Sequence, residues 1–275
     1  MEGAGGAGGA AVAALAVTAP AKPARGPCET GITSRLAPRR PPVGPMTDAA
    51  ATIDAAATLE QLLDDRYSCR GFTSEPVPEE TIDRIFRMAQ RTASWCNSQA
   101  WQVELVTGRA TAAFGKHLTD HVLSNDMRSD FPAPERYDGV YGDRRRASGF
   151  GLYSALGIER SDTDARLRQM LENYRFFGAP HVAVITSDAG LGTYGAVDCG
   201  GYVSTFLAAA TSLGVATCAQ AAIALYSDAV REHLQIPEDR LIVCGIAFGF
   251  ADADHPANTF RAERADLSDV VRRHG

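Results

Sequence analysis

The sequence predicts one folded body that mixes α-helices with β-strands, and three stretches predict it. Ile82, Ile85, Phe86 and Ala89 fall on one face at helical spacing within 79–90. Trp101 to Thr107 alternates with period two and stops at Gly108, as a half-buried strand does. Leu241 to Phe250 is an unbroken apolar run of strand type, which fits a buried central strand. With 275 residues, 45% of them hydrophobic, the chain can bury a sizeable core as one large domain beside a tail.

Taken in order, the first 45 residues hold mainly Gly, Ala, Pro and scattered polar residues. They lack the aromatic and β-branched content that offsets the entropy of ordering a chain, so a disordered tail is expected there. Its Ala/Val/Leu run from Ala10 to Val17 is short and preceded by Glu2 with no Lys or Arg, which argues against a secretory signal. Arg39-Arg40 runs into Pro41-Pro42, not into the apolar stretch of a twin-arginine signal. No 18-residue apolar segment is present to span a membrane. Met46 opens the stretch where composition becomes ordinary, which makes it a candidate start codon.

The folded body is expected over 46–275. Leu59 to Leu63 ends a first amphipathic helix, and Pro76 and Pro78 break the chain before the helix over 79–90. The strand at 101–107 is followed by a helix over 109–123. From 124 to 176 the chain is rich in Pro, Arg, Tyr, Gly and Asp with weaker periodicity, the composition of a lid of mobile helices over a site. His181 to Thr186 is a short β-branched strand, and Asp198 to Leu213 an almost wholly apolar helix closed by Gly214, apolar enough to be buried on several sides or to form a subunit interface. Ser227 to Leu234 is a short helix with Ser227 as its N-cap.

Charge and cysteines exclude some functions. The tail's five basic residues against Glu2 and Glu29 give it +3, which leaves residues 46–275 at −9 within a net charge of −6. An acidic body argues against nucleic acid as a partner. The six cysteines are spread without a CxxC pair or a histidine at zinc spacing, so no metal is expected and a reducing cytoplasm is. His117 and His121 stand four apart on a helix, but Leu118 occupies the place where a zinc protease needs Glu. Gly190-x-Gly192-x-x-Gly195 fits a dinucleotide fingerprint, but three residues separate it from its strand and no acid stands about 20 residues on to hold a ribose, so a plain glycine-rich loop is expected there. Arg144-Arg145-Arg146 is a basic run that reads either as a phosphate grip or as solvated surface.

Arg66 and Arg70, four apart with Ser68 between, would present two guanidinium forks and a hydroxyl to one anion, for which a phosphate dianion is the natural guest. The series that begins there resembles the FMN-dependent nitroreductase family. It runs through Arg66-Tyr67-Ser68-Cys69-Arg70-Gly71-Phe72, Pro76-Val77-Pro78, Ala93-Ser94-Trp95-Cys96-Asn97-Ser98-Gln99-Ala100-Trp101 and Phe177-Gly178-Ala179-Pro180. It continues through the 198–214 helix, Thr217 to Ala222, Ile236-Pro237-Glu238-Asp239 and Arg261-Ala262-Glu263-Arg264. The likeness covers about residues 55–275 in order, departing from it at Ala93 and Ala100, where many relatives carry Pro.

The resemblance implies an α+β fold: a mixed, mainly antiparallel sheet surrounded by helices in an intertwined homodimer with FMN at the interface. It implies that Arg66, Ser68, Arg70, Arg261 and Arg264 bind FMN, with Tyr67 contributing backbone. Ser94, Trp95, Cys96 and Asn97 would line the flavin, and the backbone of Ala219, Gln220, Ala221 and Ala222 would meet it near N5. Trp95, Tyr137 and Tyr141 are candidates to contact a small aromatic or conjugated acceptor. The implied activity is hydride transfer from NADPH or NADH to nitroaromatics or quinones in ping-pong order, with no protein nucleophile. The same fold supports reductive dehalogenation and enone reduction, and a non-catalytic FMN-storage protein is a further alternative. Deiodinase-like chemistry would want Glu, Tyr and Lys in the lid, which has Glu135, Tyr137, Tyr141 and Glu172 but no Lys.

Overall fold

The computed structural model describes residues 54–275, so the expected tail over 1–45 and the candidate start at Met46 lie outside the described residues. Helix α1 (Ala55–Asp65) starts where the Asp54 carboxylate accepts the amides of Ala56 at 3.0 Å and Ala57 at 3.1 Å. Helix α2 (Glu79–Ala89) begins after Pro78 with Glu79 and Glu80 against the positive end of its dipole, and buries Ile82, Ile85 and Ala89. The α2 face is the one that the spacing predicts.

Strands β1 (Trp101–Thr107), β2 (His181–Asp188), β3 (Ala216–Gln220) and β4 (Arg240–Gly249) form a sheet in the order β1-β2-β4-β3, each neighbouring pair antiparallel. Isolated parallel bridges, Ser68 with Thr217 and Arg128 with Tyr226, add the parallel component. The helices that follow in chain order are α3 (Arg109–Val122), α4 (Gly139–Ala155), α5 (Thr163–Leu171), α6 (Gly192–Thr211), α7 (Ala221–Ala224), α8 (Ser227–Leu234) and α9 (Leu267–Val270).

Alternation along the central strands sends side chains to both faces of the sheet, and both are covered. Val182 and Val184 of β2 pack with Phe114 and Leu118 of α3, Ile223 of α7 and Val230 of α8. Ala183 and Ile185 face the other way, onto Ile82 and Ile85 of α2 and Cys199, Tyr202 and Phe206 of α6. The fold is therefore α+β, an antiparallel sheet between two helical layers, with β4 central as its apolar run predicts.

Several local expectations change. Strand β1 buries Trp101 on one face and Val106 on the other and leaves Leu105 exposed, because as an edge strand it is covered by different helices at its two ends. Helix α6 begins at Gly192, six residues before the predicted Asp198, and absorbs two glycines of the Gly190 motif. Gly195 lies so close to the Ser187 hydroxyl of β2 that a Cβ would collide, so its role is close helix–sheet packing. Gly214, at φ +71°, ends the helix as predicted, with its N–H on Thr211 O at 3.0 Å.

Ser227 is the first residue of α8, not its cap: its hydroxyl donates to Ala224 O at 2.8 Å and accepts from Asp130 N–H at 3.2 Å. His117 and His121 both turn towards α8, His117 Nε2 lying 3.1 Å from Ala229 O and His121 Nε2 3.6 Å from an Asp228 carboxylate oxygen. The expected lid region contains α4 and α5, whose residues are mostly exposed.

Candidate cofactor site

The chain leaving α1 runs along the outer edge of β3. Cys69 N–H donates to Thr217 O at 2.9 Å beside the Ser68–Thr217 bridge, and Thr73 N–H donates to Phe250 O at 2.9 Å. Gly71 is required in this segment, because a Cβ there would run into the His255 ring. Buried Asn258 fastens the C-terminal segment to it: its Nδ2 donates to Gly71 O and Asp252 O, each at 2.8 Å, and its Oδ1 accepts Arg70 N–H at 2.8 Å. Three stretches distant in sequence, 66–72, 216–220 and 252–264, thus meet at one corner of the sheet.

Cations gather at that corner. The Arg261 guanidinium lies 3.6 Å from the Tyr67 ring centroid and donates to Asn258 O at 2.7 Å. Arg70 donates to Ser68 O at 3.2 Å. Burial, and then the nearby Arg264 guanidinium, push the pKa of Arg66 below its ordinary value. Among the described residues none of Arg66, Arg70, Arg261 and Arg264 pairs with a carboxylate. Like charges held together without a counter-charge are unfavourable, and a phosphate dianion would reverse the sign of that energy.

The edge strand offers further unused groups. Thr217 Oγ1 and Gln220 Oε1 are buried without a hydrogen-bond partner, although Gln220 Nε2 donates to Asn173 O at 2.7 Å. Because N–H and C=O groups alternate between the two edges of a strand, Ala219 presents its own to the same open edge as Thr217. Ala221 and Ala222 continue from there into α7, Ala221 exposed and Ala222 half-buried. Burial pushes the Cys218 thiol up to about 11 against the opposing pull of Arg70 and Arg66, so it is a neutral wall beside the cations.

The predicted loop Ser94–Asn97 lies elsewhere in the chain. Asp198 of α6 holds it, accepting Trp95 N–H at 3.1 Å and the Ser98 hydroxyl at 3.1 Å, while Gln99 N–H donates to Ser94 Oγ at 2.9 Å. Cys96, Asn97 and Gln99 have φ of +52°, +57° and +50°, strained for side-chain-bearing residues. Exposed Trp95 packs on Tyr194, ring centroids 4.5 Å apart. Arg66, however, stands beside Thr211 at the other end of α6. The helix from Asp198 to Thr211 is about 20 Å long at 1.5 Å per residue, so one chain does not unite this loop with the arginines.

Tyr137 and Tyr141, at the start of α4, are exposed, Tyr137 beneath the Arg145 guanidinium at 5.3 Å. Neither lines the cleft between α4 and the C-terminal segment. Sequence reasoning missed Asn258 and Asp198. Asn258 carries no local signal, since the partners it ties to the C-terminal segment, Gly71 and Arg70, are 187 and 188 residues away. Asp198 carries one: it is the only charged residue between Gly192 and Gly214.

Residues 63–250 match the model of the Nitroreductase family, and the chain belongs to that family. It is 38% identical over 229 residues to nitroreductase NfnB of Mycolicibacterium smegmatis (strain ATCC 700084 / mc(2)155), covering 83% of this chain and 97% of that protein. It is 36% identical over 231 residues to 4-nitrobenzoate reductase of Nocardioides sp. (strain LMS-CY), covering 81% and 90%. The crystal structure of the FMN-dependent nitroreductase NfnB from Mycobacterium smegmatis, in complex with NADPH, matches the fold with a TM-score of 0.78 at 37% identity, over 81% of this chain and 100% of that one.

Proposed function

We propose that this chain is an FMN-dependent oxidoreductase that takes hydride from NAD(P)H and reduces nitroaromatic, quinone or related conjugated acceptors in ping-pong order. The observation that carries the reading is the cluster of four arginines, without an ion pair among the described residues, beside the open edge of β3, with Thr217 Oγ1 and Gln220 Oε1 buried and unused. Arg66, Ser68, Arg70 and Arg264 would hold the FMN phosphate, and Arg261 braces Tyr67 beneath them. The Ala219 N–H would donate to the ring. When bound, FMN supplies hydride acceptance and delivery, so the protein needs no nucleophile. What the chain contributes is orientation, a wall of neutral thiol and apolar side chains, and a fixed positive field.

A second copy of the chain completes the site in this reading. Helix α1 buries no residue and exposes Leu59 and Leu63, and α6 leaves Val197, Gly200, Gly201 and Ser204 exposed on the side away from the sheet. A two-fold axis across α6 would set the Asp198 end of one helix beside the Thr211 end of the other, bringing Ser94–Asn97 of one protomer to the arginines of its partner. Residues 46–275 would suffice for this activity, and the unpaired thiols suit the reducing cytoplasm. No described helix is long and apolar enough to cross a membrane.

The deciding experiment is the visible spectrum of the purified protein before and after anaerobic NADPH or NADH. A flavin spectrum that bleaches, and recovers on adding 4-nitrobenzoate, supports the reading; colourless protein that FMN cannot reconstitute overturns it.

A further inference from the structure

The basic run Arg144-Arg145-Arg146 on α4 divides into three different environments. Arg146 pairs with Asp143, and Arg145 lies over Tyr137 at 5.3 Å. Arg144 has no ion pair among the described residues and turns the other way. Val140, Arg144, Ala147 and Ser148 recur at helical spacing and form one wall of a cleft of about 480 Å³ whose opposite wall is Phe260–Asp266. One turn further on, Phe260 is seated against Gly151, where a Cβ would collide with its ring, so the helix is docked at that end.

The contents of the cleft describe its guest. Arg144, Arg261 and Arg264 line it together with Glu263, Asp266 and Asp269, and its size is that of a small-molecule site. A bare phosphate would satisfy the cations and be repelled by the acids. A phosphate monoester that also carries hydroxyl and amine donors satisfies both, and a 2′-phosphorylated adenosine is such a group. Arg66 and Arg70 do not line this cleft, which separates it from the inner phosphate corner, and Arg264 stands between the two.

We infer that the cleft between α4 and the C-terminal segment takes the 2′-phosphoadenosine end of NADPH, with Arg144 as the ligand that selects NADPH over NADH. This rests on the reading of the chain as an FMN oxidoreductase. Losing one charge-assisted contact to a dianion raises KM for NADPH about ten-fold or more, while KM for NADH, which lacks the phosphate, stays within about two-fold.

The test compares wild type with Arg144→Ala, Arg144→Lys and Arg146→Ala. It measures KM for both donors, flavin content by absorbance, and calorimetric binding of 2′-AMP against 5′-AMP. The inference holds if Arg144→Ala loses selectivity for NADPH and for 2′-AMP with flavin content unchanged, Lys restores part of it, and Arg146→Ala leaves it intact. It is overturned if the wild type does not discriminate the donors, if Arg144→Ala changes both equally or neither, or if flavin is lost, which would assign Arg144 to the inner phosphate. Wild type without flavin would sink the underlying reading instead, whereas flavin-replete enzyme with unchanged Arg144→Ala selectivity would sink this inference alone.

Discussion

Arg66 is half-buried beside a second guanidinium, an arrangement that costs energy until an anion arrives. Arg66→Ala is expected to weaken FMN binding about ten- to a hundred-fold, the worth of one charge-assisted contact, measured as flavin retained through dialysis. Asn258→Ala would remove three hydrogen bonds at a buried position and leave the Arg70 N–H without its acceptor, while the Gly71 carbonyl keeps the Asp252 N–H and the Asp252 carbonyl keeps the His255 N–H. A stability loss of about 2–4 kcal/mol is expected in urea titration, with FMN affinity falling alongside it; an unchanged midpoint would mean that other contacts hold the C-terminal segment. His181 offers a pH test. Its Nε2 accepts Val77 N–H at 3.0 Å, Nδ1 is buried without a partner, and burial lowers its pKa. A folded pKa below the unfolded one favours the native state fully above about pH 6.5, and that contribution is lost as pH falls through the lowered value. The Tm of the wild type should therefore decline on acidification below about pH 6.5, and His181→Gln, which keeps an acceptor for Val77, should flatten that decline.

Elements whose burial follows from local pattern were legible in the sequence, and those defined by distant partners were not. Helix α2 shows the first case: Ile82, Ile85 and Ala89 are spaced for burial and are buried. Strand β3 shows the second, since Ala216–Gln220 has neither a strict alternation nor β-branched bulk and owes its form to pairing with β4 and to the Ser68 segment at its edge. The start of α6 was misplaced because three glycines at 190, 192 and 195 read as a loop, whereas Gly195 is there to let the helix approach β2. The arginine cluster was legible because its ends form recognisable motifs, but the Asn258 clasp between them depends on tertiary contact alone. The 94–99 loop is the element most open to perturbation, since three residues at positive φ depend on Asp198. Asp198→Ala should make this loop cleavable by chymotrypsin at exposed Trp95 and lower stability by about 1–2 kcal/mol; a loop as resistant as in the wild type would show that its strain is relieved by other means.

At the scale of the whole molecule, two helical layers enclose the sheet but leave the outer side of α6 and the apolar residues of α1 in water. If the proposed dimer packs across α6, Val197→Arg on its exposed side shifts sedimentation from dimer to monomer and strips FMN in the same step; a wild type that sediments as a monomer would overturn the proposed dimer, and a variant that stays dimeric would place the interface elsewhere. The length of α6 between Asp198 and Arg66's neighbour Thr211 has a genetic consequence. If the proposed dimer joins the 94–97 loop of one protomer to the arginines of its partner, an Arg66→Ala chain and an Asp198→Ala chain would each damage every site in their own homodimers. In a mixed pair of that kind, one site would collect both defects and the other none. Two individually impaired alleles expressed together should then complement, restoring about a quarter of wild-type active sites by random pairing, whereas a site built within a single chain would give no rescue at all.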